Sequence, residues 1–263
     1  MSEKEYKTSE YVVAFIDILG ATNAISKQAD DSLDLIHKIY ENAIETFSQL
    51  KTDDFDTPQI KIFSDNIVIA VRYDSNHSKK DAAISVAVMS AALQANFLAH
   101  GWLTRGGISS GKFFIDDVMV WGPALVDAYK LENSVAYFPR IVVNPELATE
   151  CNWTLIADRT NNFASTFGIF HRDNDGMIRV EYIVEEFDNP VRAIFNNYKN
   201  GFIEKQLSEH KGNTKICQKW LWIKHYIEER RKIFMKVGAV NGSANERQRG
   251  GVDWDGAGGM AHK

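Results

Sequence analysis

Apolar positions along the chain fall into blocks of different period. Residues 11–19, YVVAFIDIL, are almost unbroken apolar sequence rich in β-branched side chains, which predicts a buried strand. GATNA and a polar stretch follow, and Asp31 or Ser32 can cap a helix. That helix has Leu33, Ile36, Tyr40, Ile44 and Phe47 on one face at helical spacing. After the loop TDDFDTP, the segment IKIFSDNIVIAV reads as two strands joined at Ser64-Asp65-Asn66. Ser78 opens an alanine-rich helix to about Leu98, apolar enough to be largely buried. LTRGGISSGKFFI reads as a strand interrupted by glycines. The order strand, helix, strand, strand, helix, strand is the split βαβ or ferredoxin-like pattern. It predicts an α+β fold, with an antiparallel-rich sheet and helices on one face.

Downstream, VWGPALVDAYKLENSV is helical from about Pro123, PRIVV is a short strand, and a hairpin is expected at Asn174-Asp175-Gly176. Helices over Val191–Leu207 and Lys215–Lys236 form a C-terminal extension. The reading divides the chain into a catalytic unit at 1–185, a helical extension at 186–237 and a glycine-rich tail at 238–263, too poor in large apolar residues to pack a core apart from Trp254.

Composition narrows the function class. The 263 residues carry 30 basic and 35 acidic side chains, a net charge of −5, and no basic face for nucleic acid is expected. Two cysteines, Cys151 and Cys217, stand in no ligand spacing and read as free thiols of a reducing compartment. The charged start, MSEKEYKTSEY, lacks an apolar leader core, and no segment reads as a membrane span of ~20 residues. A cytoplasmic protein that binds no membrane is expected.

Two carboxylates stand out. Asp17 lies inside an apolar strand, where an unpaired charge costs several kcal/mol, so a cation should face it. Asp65 lies on the hairpin that a ferredoxin-like sheet places beside the first strand. Converging carboxylates repel unless a metal neutralises them, and their hard oxygens suit Mg²⁺ or Mn²⁺. Without a His or Cys cluster, zinc is not expected.

Four segments in order carry a family resemblance: FIDILGAT (15–22), IKIFSDNIVIA (60–70), TRGGISSGK (104–112) and VWGPALVDAYKLE (120–132). They resemble the motifs of class III adenylate and guanylate cyclases, with Ser64 in place of a glycine. The chain departs from that pattern where the base and transition state are handled. Met119 stands where adenylate cyclases carry a base-reading Asp, Val126 at the transition-state Asn, and Lys130 at the transition-state Arg. Lys61 occupies the base-reading Lys position. With AYFPR (136–140) and the extension, the chain resembles the pyrimidine cyclases of bacterial Pycsar anti-phage systems.

The resemblance implies cyclisation of a nucleoside triphosphate, UTP or CTP with UTP favoured, to cUMP or cCMP. Asp17, Asp65 and the Ile18 carbonyl would hold two Mg²⁺ or Mn²⁺ ions. The amides of Leu19, Gly20, Ala21 and Thr22 would cradle phosphate, and Arg140, then Lys130, would stabilise charge on the transferring phosphorus. Lys61 and Met119 would face the base, and Arg105 would close the strand end. It also implies a homodimer with sites at its interface, and a separate effector reached through the cyclic nucleotide. Two other readings stay open: a purine cyclase, and an inactive nucleotide-binding dimerisation module.

Overall fold

The first strand is covered on both faces, and this determines the layout. β1 (Ser9–Leu19) pairs with β3 on one side and β4 on the other, both antiparallel. Its alternate residues Val12, Ala14, Ile16 and Ile18 enter one core, while Tyr11, Val13 and Phe15 enter a second. Each fully buried Val or Ile contributes about 1.5–3 kcal/mol, so a central strand with no solvent face reads as a continuous apolar run.

A computed structural model describes residues 6–50, 57–153 and 168–245. After β1 come α1 (Ala21–Lys27), α2 (Ala29–Leu50), β2 (Gln59–Phe63), β3 (Asn66–Arg72), α3 (Lys79–Ala99) and β4 (Leu103–Ile115). Next are β5 (Val120–Trp121), α4 (Pro123–Ser134), β6 (Ile141–Val143), α5 (Pro145–Glu150), β7 (Phe170–Arg172) and β8 (Ile178–Val180). Three helices follow, α6 (Asp188–Lys199), α7 (Phe202–Glu209) and α8 (Thr214–Asn245). The sheet order is β2-β3-β1-β4-β6-β8-β7, with β5 paired to β4. Every pairing is antiparallel except β4 with β6. The fold is therefore α+β with the ferredoxin-like βαββαβ order at its centre.

Several expectations change. The helices do not all lie on one face: α2 and α3 cover one core, and Ala124 and Ala128 of α4 close the other. β4 is one continuous strand, and its glycines serve packing. A Cβ on Gly107 would lie 2.3 Å from the Ala128 carbonyl oxygen, so the glycine lets α4 lie against the sheet. The polar stretch after Gly20 is helix α1, and Asp31 and Ser32 fall inside α2 instead of capping it. Leu33 is exposed; the buried stripe is Ile36, Ile39, Ala43 and Phe47. Ser78 does cap α3, its side chain accepting from the Asp81 amide.

α3 also corrects the membrane reading. By length and composition it could cross a bilayer, yet here it is the central core helix. The 191–207 helix is broken at Asn200-Gly201, where Gly201 adopts φ +75°. α8 continues to Asn245, into the stretch read as tail. Residues 246–263, Trp254 among them, lie outside the described residues.

The extension shares the main core, to which Phe187, Val191, Ile194, Trp220, Ile223 and Ile227 all contribute. Polar contacts seat it further. The Tyr226 hydroxyl accepts from the Tyr182 and Ile183 amides at 3.1 and 3.0 Å. Arg230 Nε donates to the Ile183 carbonyl at 2.8 Å, and Asn197 Nδ2 to the Ala99 carbonyl at 2.8 Å.

Candidate active site

The two carboxylates meet at one end of the sheet. Asp17 stands opposite Asn66 of β3 and Arg105 of β4. The β2–β3 turn closes because Ser64 adopts φ +58°, a left-handed conformation that glycine takes more easily. The turn is tied to β1 by the Ile18 amide, which donates to the Asp65 carbonyl at 2.8 Å. The Asp65 carboxylate accepts from Thr22 Oγ1 at 3.1 Å and from Asn66 Nδ2 at 2.9 Å. Gly20, at φ +83° with open space around it, makes the turn from β1 into α1.

Asp17 is half-buried, and burial raises its carboxyl above the usual range. Arg105 opposes the rise and the Asp65 charge adds to it. The β1–β3 register, with Asp17 opposite Asn66 and the Ile18 amide on the Asp65 carbonyl, sets the two acids at neighbouring positions. Among the described residues no three His, Cys, Asp or Glu side chains converge. What this end of the sheet offers is two mutually repelling carboxylates beside backbone carbonyls. Hard, anionic oxygens of this kind fit Mg²⁺ or Mn²⁺, with ligand positions left for substrate phosphate.

Arg105 is the cation that the position of Asp17 demanded. Its Nε lies 3.3 Å from Asp17 Oδ2 and its Nη2 2.6 Å from Glu132 Oε1. Glu132, on the inward face of α4, is almost wholly buried. Burial raises its pKa, Arg105 pulls it back and the Asp17 charge raises it. Lys219 of α8 completes the group, acting electrostatically on Asp17 and Glu132. Glu132 ends a motif visible in the sequence. Lys219 had no signal there, because a lysine on an amphipathic helix reads as a solvated charge.

Lys61 lies 3.6 Å from Asp117, which puts the β2 lysine beside the turn that carries Met119. That turn is shaped by Asp116, whose Oδ1 accepts from the Val118 and Met119 amides at 2.8 and 2.9 Å. Lys130 lies on the exposed face of α4 and pairs with Asp127 at 3.0 Å.

Arg140 requires correction. It is buried, with its guanidinium bonded to Asp173 and Asp175 of the β7–β8 hairpin and to the Val135 carbonyl at 3.4 Å. A guanidinium enclosed by two carboxylates presents no donor face to a phosphate, so Arg140 fastens the hairpin to β6. Arg179 continues the network, donating to Asp173 at 2.7 Å and Glu181 at 3.1 Å beneath the Tyr226 ring.

This network predicts acid sensitivity. The Arg140 hydrogen bond holds Asp175 below the usual carboxylate range. Burial pushes Glu181 up, but Arg179 and Arg230 outweigh it and hold it low. Carboxyls depressed in the folded state add stability above their unfolded pKa, and that stability is lost as pH falls through the folded value. The contribution of these carboxyls to the urea midpoint should be lost as pH falls below about 4. Arg140→Met should lessen that loss.

Neither a family model nor a curated protein sequence matches the chain. Among solved structures it is similar to the adenylyl cyclase CyaB from P. aeruginosa, at 20% identity over 56% of this chain and 82% of that one, with a TM-score of 0.43. It is similar to the guanylyl cyclase domain of the RhoGC fusion protein from the aquatic fungus Blastocladiella emersonii, at 13% identity over 66% and 98%, with a TM-score of 0.46. A third is the adenylate/guanylate cyclase/hydrolase from Silicibacter pomeroyi, at 16% identity over 66% and 96%, with a TM-score of 0.40. Similarity this remote leaves the functional reading to rest on the site.

Proposed function

We propose that the chain is a class III-type nucleotide cyclase that converts a pyrimidine nucleoside triphosphate, UTP before CTP, into its 3′,5′-cyclic monophosphate. The observation that carries this reading is the neighbouring placement of Asp17 and Asp65 at one end of a βαββαβ sheet, with Asp17 opposite Asn66 and the Asp65 carbonyl bonded to the Ile18 amide. In the reaction the ribose 3′-oxygen bonds to the α-phosphorus, the bond to the β-phosphate oxygen breaks, pyrophosphate leaves with that electron pair, and the 3′-hydroxyl proton passes to solvent. Two bound Mg²⁺ or Mn²⁺ ions would acidify the 3′-hydroxyl and neutralise phosphate charge.

Asp17, Asp65 and the Ile18 carbonyl are the ligands assigned to that role. Thr22 and Asn66 fix the Asp65 carboxylate from both sides. The open turn at Gly20 lets phosphate approach the amides from Leu19 to Thr22. Lys61 and Met119 are assigned to the base; a methionine in place of an acid removes a group that would read the adenine amine. With Arg140 enclosed, charge on the transferring phosphorus falls to Lys130. The test is incubation of the chain with each of the four triphosphates and Mn²⁺. Product from UTP or CTP alone supports the assignment, and cAMP or cGMP alone overturns the base choice.

A second copy of the chain is part of the proposal. Large apolar side chains are exposed on the β2–β3 hairpin, the β4–β5 turn and the outer face of α4: Phe63, Val118 (89% exposed), Met119, Trp121 (67%), Val126 and Tyr129. A run of such residues marks an association surface. It adjoins the groups assigned to base and phosphorus, as a shared site in a symmetric dimer requires. Mixing inactive Asp65→Asn and Lys130→Ala chains in equal amounts should restore roughly a quarter of wild-type activity, since half the dimers then hold one intact site of two. No recovery would count against sharing. Defence signalling through a cyclic-nucleotide-gated effector is the context that the sequence resemblance suggests. Cyclic pyrimidine nucleotide appearing in cells only after phage infection would support it.

A further inference from the structure

We propose that Lys219, on α8 of the C-terminal extension, binds the polyphosphate of the substrate, so that the extension supplies part of the active site. This rests on the cyclase reading and adds to it a residue outside the βαββαβ core. Neighbouring contacts fix where Lys219 sits. Gln218 accepts from the Tyr137 hydroxyl at 3.0 Å, Trp222 stacks on Phe138 at 6.0 Å, and Trp220 and Ile223 are buried. Tyr137 and Phe138 lie on the loop that follows the helix bearing Glu132. α8 is therefore held in both position and rotation against the loop beside the site.

Lys219 is partly buried and close enough to Asp17, Arg105 and Glu132 to interact electrostatically with all three. Among the described residues it makes no ion pair within 4.0 Å, whereas Arg105 is committed to Asp17 and Glu132. A partly buried ammonium with no ion pair of its own is available to an incoming anion. Once cations occupy Asp17 and Asp65, the anion to arrive there is a metal-bound polyphosphate. A lysine suits it as a mobile point charge with three donors.

The experiment titrates Mg²⁺ tripolyphosphate into the full chain by calorimetry, beside steady-state kinetics with a nucleoside triphosphate. Lys219→Gln should weaken tripolyphosphate binding about 10- to 100-fold, the loss of one charged hydrogen bond. KM should rise by a similar factor, with a smaller change in kcat. Lys219→Arg should recover most of the affinity. If the glutamine variant does not fold, Lys219→Met, which keeps the apolar stem, carries the same comparison.

Unchanged tripolyphosphate affinity in these variants overturns the proposal, as does a wild-type chain that does not bind tripolyphosphate. A shift in melting temperature alone would assign Lys219 to balancing Glu132, which also overturns it. Lys219-dependent binding in a chain that cyclises no triphosphate would sink the cyclase reading and leave the polyphosphate site standing. Cyclisation indifferent to Lys219 would do the reverse.

Discussion

Asp65→Asn is expected to lower cyclic-nucleotide formation at least about 1000-fold, a barrier increase of about 4 kcal/mol, while the melting temperature changes little. The asymmetry follows from where Asp65 sits. Its backbone carbonyl, which the substitution leaves intact, bonds to the Ile18 amide and holds the hairpin to β1. An asparagine oxygen can still accept from Thr22 or Asn66, the two partners of the carboxylate. Only the negative charge is lost, and with it half of the anionic donor set for divalent cations. Product formation by mass spectrometry and thermal unfolding of the same sample give the two readings. A variant that keeps more than a tenth of wild-type activity would remove Asp65 from the metal site.

The second large effect is on stability. Arg179→Ala should cost about 3–5 kcal/mol, the range for removing one partner of a buried ion pair. The wholly buried guanidinium serves Asp173 and Glu181 and lies 4.8 Å from the centre of the Tyr226 ring. Without it the two carboxylates lose their shared cation: Asp173 keeps Arg140, and Glu181 keeps the Tyr226 hydroxyl and Arg230, the latter at 3.5 Å. Since Tyr226, Trp222 and Arg230 all belong to α8, the extension should loosen first. Trp220 and Trp222 fluorescence would report its departure ahead of the far-ultraviolet signal of the sheet. A urea midpoint equal to wild type would contradict this account.

The sequence made some of these features legible and hid others for physical reasons. β1 and the β2–β3 hairpin are local patterns, and the neighbouring positions of Asp17 and Asp65 followed from placing them in one sheet. The continuous β4 was hidden because its glycines resemble breaks; the close approach of Gly106 to the Phe15 carbonyl and of Gly107 to Ala128 of α4 explains two of them. The place of Arg140 was hidden because its partners Asp173 and Asp175 lie more than 30 residues downstream in the chain. Lys219 could not be seen at all, because its neighbourhood is set by the docking of α8, which rests on pairs such as Tyr226 with Tyr182 that no local periodicity records.

β1 lies in the interior of the sheet, while β2 is its edge and β5 a two-residue appendage. Of the two acids proposed to hold ions, Asp17 is thus anchored to the strand least tolerant of change, while the side chains proposed for base choice hang on the rim of the sheet. Laboratory evolution of substrate preference should therefore proceed through Lys61, Asp117 and Met119 with little loss of folding yield. Any attempt to move Asp17 would have to rebuild the central strand along with it.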